Sequence, residues 1–123
     1  MADNSFPPSS RLHHASEFDA VFKKTELKVG HPAFLLLARS NAMERARLGI
    51  VAGKKAARSA VQRNRLKRLV RESFRQQCAV SGLDIVLLVQ PAARDYPNSA
   101  LFDILDELWK KLARKQDRLV ERP

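Results

Sequence analysis

The chain has 123 residues, 45 % of them hydrophobic and 29 % charged, and 23 Lys and Arg against 13 Asp and Glu give a net charge of +10. That length and balance fit one folded domain with one core and exclude a wholly disordered chain. The lone cysteine, Cys78, excludes an internal disulfide, and no apolar run approaches the ~18 residues needed to cross a bilayer.

Taken in chain order, residues 1–10 are polar and proline-bearing and are expected to form a mobile tail. They carry no basic segment followed by an apolar one, so they are not a secretory signal, and with the single cysteine they point to the cytoplasm. A short helix follows, in which Phe18, Val21 and Phe22 repeat at i, i+3, i+4 behind a capping signal of Ser16 and Asp19. The run from Ala33 to Ala38 is apolar and of strand length, and Arg47 to Ala52 forms a second strand after a polar turn at Asn41 to Glu44. Glu26 to Gly30 offers a short edge strand. Asp84 to Gln90 reads as a further strand, stopped by Pro91, which has no N–H to continue a ladder.

Between those last two strands Leu66, Leu69, Val70, Phe74 and Cys78 fall on one face at helical spacing, with Gly82 placed to end the helix. A last helix carries the stripe Leu101, Ile104, Leu105, Leu108 and Leu112, with acids in its first half and bases in its second, as the helix dipole favours. Residues 119–123 are expected to fray. The order predicts a single α+β domain over 1–123, a small sheet covered by helices.

The charge is concentrated. Lys54, Lys55, Arg58, Arg63, Arg65, Lys67, Arg68, Arg71 and Arg75 stand against one acid, Glu72, so this segment alone carries a net +8. Like charges at i, i+4 destabilise a helix by a few tenths of a kcal/mol per pair, a strain that phosphates would neutralise. Six of the nine are arginines, whose planar fork suits bidentate phosphate contact, and Asn64 adds a side chain that donates and accepts. The residues alone therefore point to a binder of folded RNA or of DNA.

Catalytic chemistry has little to build on. His13, His14 and His31 are poorly spaced for chelation, Cys78 closes an apolar stripe, and Gly49 and Gly53 do not form a phosphate loop. No triad, dyad or ligand cluster is recognisable.

The stretch Ala60-Val61-Gln62-Arg63-Asn64-Arg65-Leu66-Lys67-Arg68-Leu69-Val70-Arg71 closely resembles the arginine–asparagine–arginine helix of the bacterial ribonuclease P protein subunit. Arg47-Leu48-Gly49-Ile50-Val51 with Gly53-Lys54-Lys55, then Glu17 to Lys23, then Asp84 to Val89 with Pro91-Ala92, resemble the family's flanking blocks in the right order. The resemblance runs from about Arg11 to Arg114.

It implies a four-stranded sheet in the order α-β-β-β-α-β-α, with helices on one face and a left-handed crossover against the usual rule. It implies a protein that joins a catalytic RNA to remove the 5′ leader of precursor transfer RNA, with Mg2+ held mainly by the RNA and no catalytic side chain in the protein. No obligate protein partner and no membrane are implied. Lys54, Lys55, Arg58, Arg63, Asn64, Arg65, Lys67, Arg68 and Arg71 would face the catalytic RNA, and Phe18 and Phe22 would line a cleft for the leader. From spacing alone those two rings read as core. Leu37 stands where some relatives carry a tyrosine in the cleft floor. The alternative is a ribosomal or RNA-assembly protein with no catalytic role.

Overall fold

The computed structural model describes residues 10–121, so the expected tail lies outside the described residues except at Ser10. The elements are α1 (Ala15–Lys23), β1 (Leu27–Gly30), β2 (Phe34–Ser40), β3 (Arg47–Val51), α2 (Ala60–Gln77), β4 (Leu83–Val89) and α3 (Asn98–Glu121), with a short 3-10 turn at Pro91–Asp95. This is the expected α-β-β-β-α-β-α order. The segment expected to fray begins inside α3, which continues to Glu121; 122 and 123 lie outside the described residues.

One mixed sheet has the strand order β1-β2-β4-β3. β2 pairs antiparallel with β1 and with β4, whereas β3 pairs parallel with β4, Arg47 opposite Asp84 and Val51 opposite Leu88. A parallel pair cannot be closed by a hairpin, so α2 forms the crossover.

Strand alternation sorts the sheet into two faces. Phe34, Leu36 and Ala38 of β2, with Leu83, Ile85, Leu87 and Val89 of β4, pack against α2 and α3 through Leu66, Leu69, Val70, Leu101, Leu105, Leu108, Trp109 and Leu112. Val86, with Leu37 and Leu88, points the other way and packs under Leu12, Val21 and Phe18. The helices therefore do not share one face: α2 and α3 cover one, and α1 covers part of the other. The reason is visible in β4, whose near-continuous apolar run marks a central strand that needs cover on both sides.

The helix ends also differ from expectation. Glu17, not Asp19, is the capping acid of α1: its Oε1 accepts from the backbone N–H groups of His13 (2.7 Å) and His14 (2.9 Å). α2 starts on a capping box in which Ser59 Oγ accepts from the Gln62 N–H at 3.1 Å while Gln62 Oε1 accepts from the Ser59 N–H at 3.5 Å, and also from the Arg58 N–H at 3.1 Å. It stops at Cys78, whose N–H closes on the Phe74 carbonyl, so Gly82 does not end it. Gly82 instead takes the left-handed turn (φ 72°) that leads into β4. Between the helices, the indole N–H of buried Trp109 donates to the buried Ser73 hydroxyl at 2.9 Å, and its ring meets Phe74 edge-on at 5.6 Å.

Candidate nucleic-acid interface

The apolar face of α2 is spent on the sheet, which turns its basic residues outward. Asn64, Arg65 and Arg68 are exposed, while Arg63, Lys67 and Arg71 are half-buried along the flank of the helix. Lys54, Lys55 and Arg58 precede the helix. There the Gly53 carbonyl accepts from the N–H groups of Ala56 and Ala57, both at 3.1 Å, and these two alanines are buried, so the three cations are held out to solvent. Arg63 ties the turn to the helix by donating from Nη1 to the Ala57 carbonyl at 3.2 Å.

Arg94 was missed by sequence reasoning. It lies on the 3-10 turn after β4 and joins Lys54, Lys55 and Arg58 around a concavity of about 420 Å³. Parallel strands end at the same edge of a sheet, so the segments that follow β3 and β4 emerge side by side. The signal was therefore topological rather than local.

A larger groove, about 800 Å³, runs between α2 and α3. Arg65 crosses it to donate to Asn98 Oδ1 at the start of α3, and Arg68, Glu72 and Phe102 line it. The Glu72 carboxyl is held below its ordinary range by hydrogen bonds from Arg75 and Gln76. On the opposite flank, burial pulls the Arg71 guanidinium below its ordinary pKa, and the charge of Arg11 adds to the effect. Arg11, which sequence reasoning also missed, bridges to Leu48 of β3. Two like charges converge at a half-buried spot, where an anion would relieve both.

On the second face, α1 is fastened by polar contacts at both ends. Arg47 donates from Nη1 to Glu17 Oε2 (2.8 Å), and Arg39 donates to the Ala20 carbonyl at 3.3 Å. The Glu17 carboxyl is lowered to about 2 by the backbone N–H groups of His14 and His13 and by Arg47. Hydrogen bonding to Asp84 raises the Arg47 guanidinium, as do the Asp84 and Glu17 charges.

Phe18 and Phe22 are not equivalent. Phe18 is half-buried over Gly49, where a Cβ would come within 2.5 Å of the ring, whereas Phe22 is 44 % exposed. Leu37 and Leu88 are half-buried beside this cluster.

The remaining candidates are placed simply. His13 and His14 are exposed, and His31 Nδ1 accepts from the Ala33 N–H at 3.0 Å. Cys78 packs against the main core, and burial pushes its thiol up to about 11, so at neutral pH it is protonated. Among the described residues no cluster of three His, Cys, Asp or Glu could hold a metal, and no helix is long and apolar enough to cross a membrane.

The Ribonuclease P family model matches residues 6–113. The ribonuclease P protein component of Pseudomonas paraeruginosa is 44 % identical over 119 residues, covering 96 % of this chain and 88 % of that protein. That of Marinomonas sp. is 43 % identical over 116 residues, covering 94 % and 88 %. Among solved structures, the ribonuclease P protein of Thermotoga maritima superposes with a TM-score of 0.70 at 30 % identity, over 81 % of this chain and 96 % of that one. The Staphylococcus aureus ribonuclease P protein shares the fold with a TM-score of 0.72 at 24 % identity, over 87 % and 94 %.

Proposed function

Because the chain belongs to the bacterial ribonuclease P protein family, and so is a subunit of the transfer-RNA-processing ribonucleoprotein that carries that endonuclease activity, we propose that α2 docks on the ribonuclease P RNA while the α1 face holds the 5′ leader of precursor transfer RNA. The observation that carries the first half is the outward face of α2, where Asn64, Arg65 and Arg68 are exposed and flanked by Arg63, Lys67 and Arg71. Lys54, Lys55 and Arg58 extend that basic surface in front of the helix. A face this rich in guanidinium forks binds phosphate by charge and by bidentate hydrogen bonds, without reading sequence.

The second half rests on exposed apolar surface beside α1. Phe22 and Val51 are exposed, whereas Phe18, Leu37 and Leu88 lie deeper, packed against the cluster of the second face. Rings and aliphatic side chains accept any unstacked base, which suits a leader of variable sequence; an aromatic platform contributes ~1–3 kcal/mol per base. Leu37 has no hydroxyl, so the floor contributes packing and no hydrogen bond. The chain acts as one RNA-binding domain.

In this reading the protein positions and the RNA cleaves. The described residues offer no metal cluster, and Mg2+, held mainly by the RNA, would supply the activated water and the clamp on the leaving oxygen. The test is reconstitution. The protein with Mg2+ alone leaves precursor intact, and adding ribonuclease P RNA gives leader removal at a magnesium concentration where the RNA alone is slow. Accurate cleavage by RNA-free protein would overturn the assignment of chemistry to the RNA.

A further inference from the structure

Glu72 is the single acid of the basic segment, and within α2 it pairs with Arg75 and Gln76. A carboxylate on a phosphate-binding face repels the backbone it must approach. Beyond its partners on the helix, it gains at such an interface where the nucleic acid turns N–H donors towards it. Both hydrogen bonds that Glu72 accepts along the helix, from Arg75 and from Gln76, end on Oε1. A carboxylate offers roughly four acceptor sites, so acceptor capacity remains, and the side chain is 42 % exposed.

Glu72 lines the groove between α2 and α3, an open cleft of about 800 Å³. On the α3 side the groove is lined by the ring of Phe102. Arg65 and Arg68 place guanidinium groups on the same groove, and it is continuous with the outward face of α2.

We infer that this groove takes one unpaired guanine base of the RNA partner, with Glu72 accepting from the base N1–H and N2–H2 and an arginine of the groove meeting its O6 and N7. The choice of base follows from hydrogen-bond chemistry. Guanine alone sets two donors side by side on one edge and two acceptors side by side on another. A carboxylate matches the first edge and a guanidinium the second. Adenine, cytosine and uracil each interrupt the donor edge with an acceptor, and every one of them would leave the carboxylate facing a lone pair. Phe102 would lie against the base plane. The inference rests on the reading that α2 faces RNA, and it adds a specific base contact to an interface otherwise made of phosphates.

The test uses the assembled particle of full-length protein and ribonuclease P RNA. Kethoxal modifies the N1 and N2 atoms of unpaired guanine, the edge assigned to Glu72. At least one guanine protected in the wild-type particle is expected to regain reactivity in the Glu72→Gln particle, while backbone footprints persist. Affinity for the RNA is expected to fall about tenfold, the scale of a lost bidentate base contact. The sign is decisive, because a merely repulsive Glu72 would make the neutral variant bind as tightly or more tightly. That result, or guanine protections unchanged by the substitution, overturns the inference. Re-exposure of adenine N1 positions instead, read with dimethyl sulfate, overturns the choice of base. Loss of every backbone footprint in the wild-type particle would overturn the docking of α2 itself, and this contact with it.

Discussion

Arg47 of β3 stands directly opposite Asp84 of β4 and grips both of its carboxylate oxygens, Nε on Oδ1 at 2.8 Å and Nη2 on Oδ2 at 2.7 Å, while its remaining nitrogen, Nη1, reaches Glu17 of α1 at 2.8 Å. One guanidinium thus joins the parallel β3–β4 pair to the helix that covers the sheet's second face. Asp84 is 7 % exposed and takes a further hydrogen bond from the Asn41 amide at 2.9 Å. The Arg47→Met variant keeps the aliphatic stem but leaves Asp84 buried with only that amide. Urea unfolding is expected to show a loss of about 2–4 kcal/mol, since removing one partner strands the other's charge. A loss below about 0.5 kcal/mol would mean that the triad is solvated like an ordinary surface pair.

Acid sensitivity follows from the same contact. The folded pKa of Glu17 lies at about 2, below its ordinary 4.5. Its contribution to stability is therefore fully present above about 4.5 and is lost as pH falls through the folded value. Melting temperature is expected to decline between about pH 4.5 and 2, and Glu17→Gln, which gives up the charge, is expected to flatten that part of the curve. At neutral pH the same variant costs about 1–2 kcal/mol, through a weaker cap and a lost charge-assisted bond. Parallel pH curves for the two proteins would show that the decline comes from other groups.

Gly49 is where the sheet makes room for Phe18. A Cβ on residue 49 would lie 2.5 Å from two ring atoms and 3.2 Å from the Leu12 Cβ, so the ring has to move. Gly49→Ala is expected to lose about 1–3 kcal/mol as an overpacked site. Because the displaced ring belongs to α1, the preference of the particle for precursor over mature transfer RNA is expected to shrink while affinity for the ribonuclease P RNA stays within twofold. Equal losses in both affinities would place the damage in the fold as a whole.

Local patterns carried most of the fold. The helical stripes of α2 and α3 and the apolar runs of β2 and β4 are written in neighbouring residues; β2 and β4 formed within two residues of their expected limits, whereas α2 stopped at Gln77, short of Gly82, and α3 ran on to Glu121. What escaped depends on partners far along the chain. The Arg47–Asp84 pair needs the parallel register, Arg94 joins Lys54 and Lys55 only through the shared strand edge, and Trp109 meets Ser73 across two helices. The two-sided sheet was foreshadowed by the unbroken apolar run from Ile85 to Val89, since a strand with one wet face alternates. The capping acid of α1 was misplaced because Ser16 and Asp19 fit the spacing as well as Glu17 does, and only backbone geometry separates them.

The exposed arginines of α2 predict an electrostatic assembly. Arg68→Ala removes a side chain from the exposed face of the helix, so thermal stability is expected to change by less than about 0.5 kcal/mol. Affinity for the ribonuclease P RNA is expected to drop, and the log–log slope against salt to become shallower by roughly 0.7–0.9, one phosphate contact fewer. Filter binding across a salt series reads both numbers. An unchanged slope with weakened affinity would mean that Arg68 acts on a base or through packing.

The unequal exposure of the two phenylalanines separates packing from leader binding. Phe22 is 44 % exposed, whereas Phe18 is half-buried in the cluster with Val21 and Val86. Phe22→Ala removes a ring that supports little of the core, so urea unfolding is expected to change by less than about 1 kcal/mol. If the ring stacks on a leader base, precursor affinity drops by the ~1–3 kcal/mol of one such contact while mature transfer RNA, which has no leader, binds as before. Phe18→Ala opens a cavity beneath α1 and is expected to cost about 2–4 kcal/mol of stability, at or slightly below the usual range for a phenylalanine because the ring is only half-buried. The comparison that matters is therefore between Phe22→Ala and Phe22→Leu, both on a folded protein. Leucine restores apolar bulk without an aromatic face, so recovery of the precursor preference by leucine points to hydrophobic cover, and failure to recover points to stacking. A Phe22→Ala particle that keeps the full precursor preference would show that the leader passes this ring without touching it.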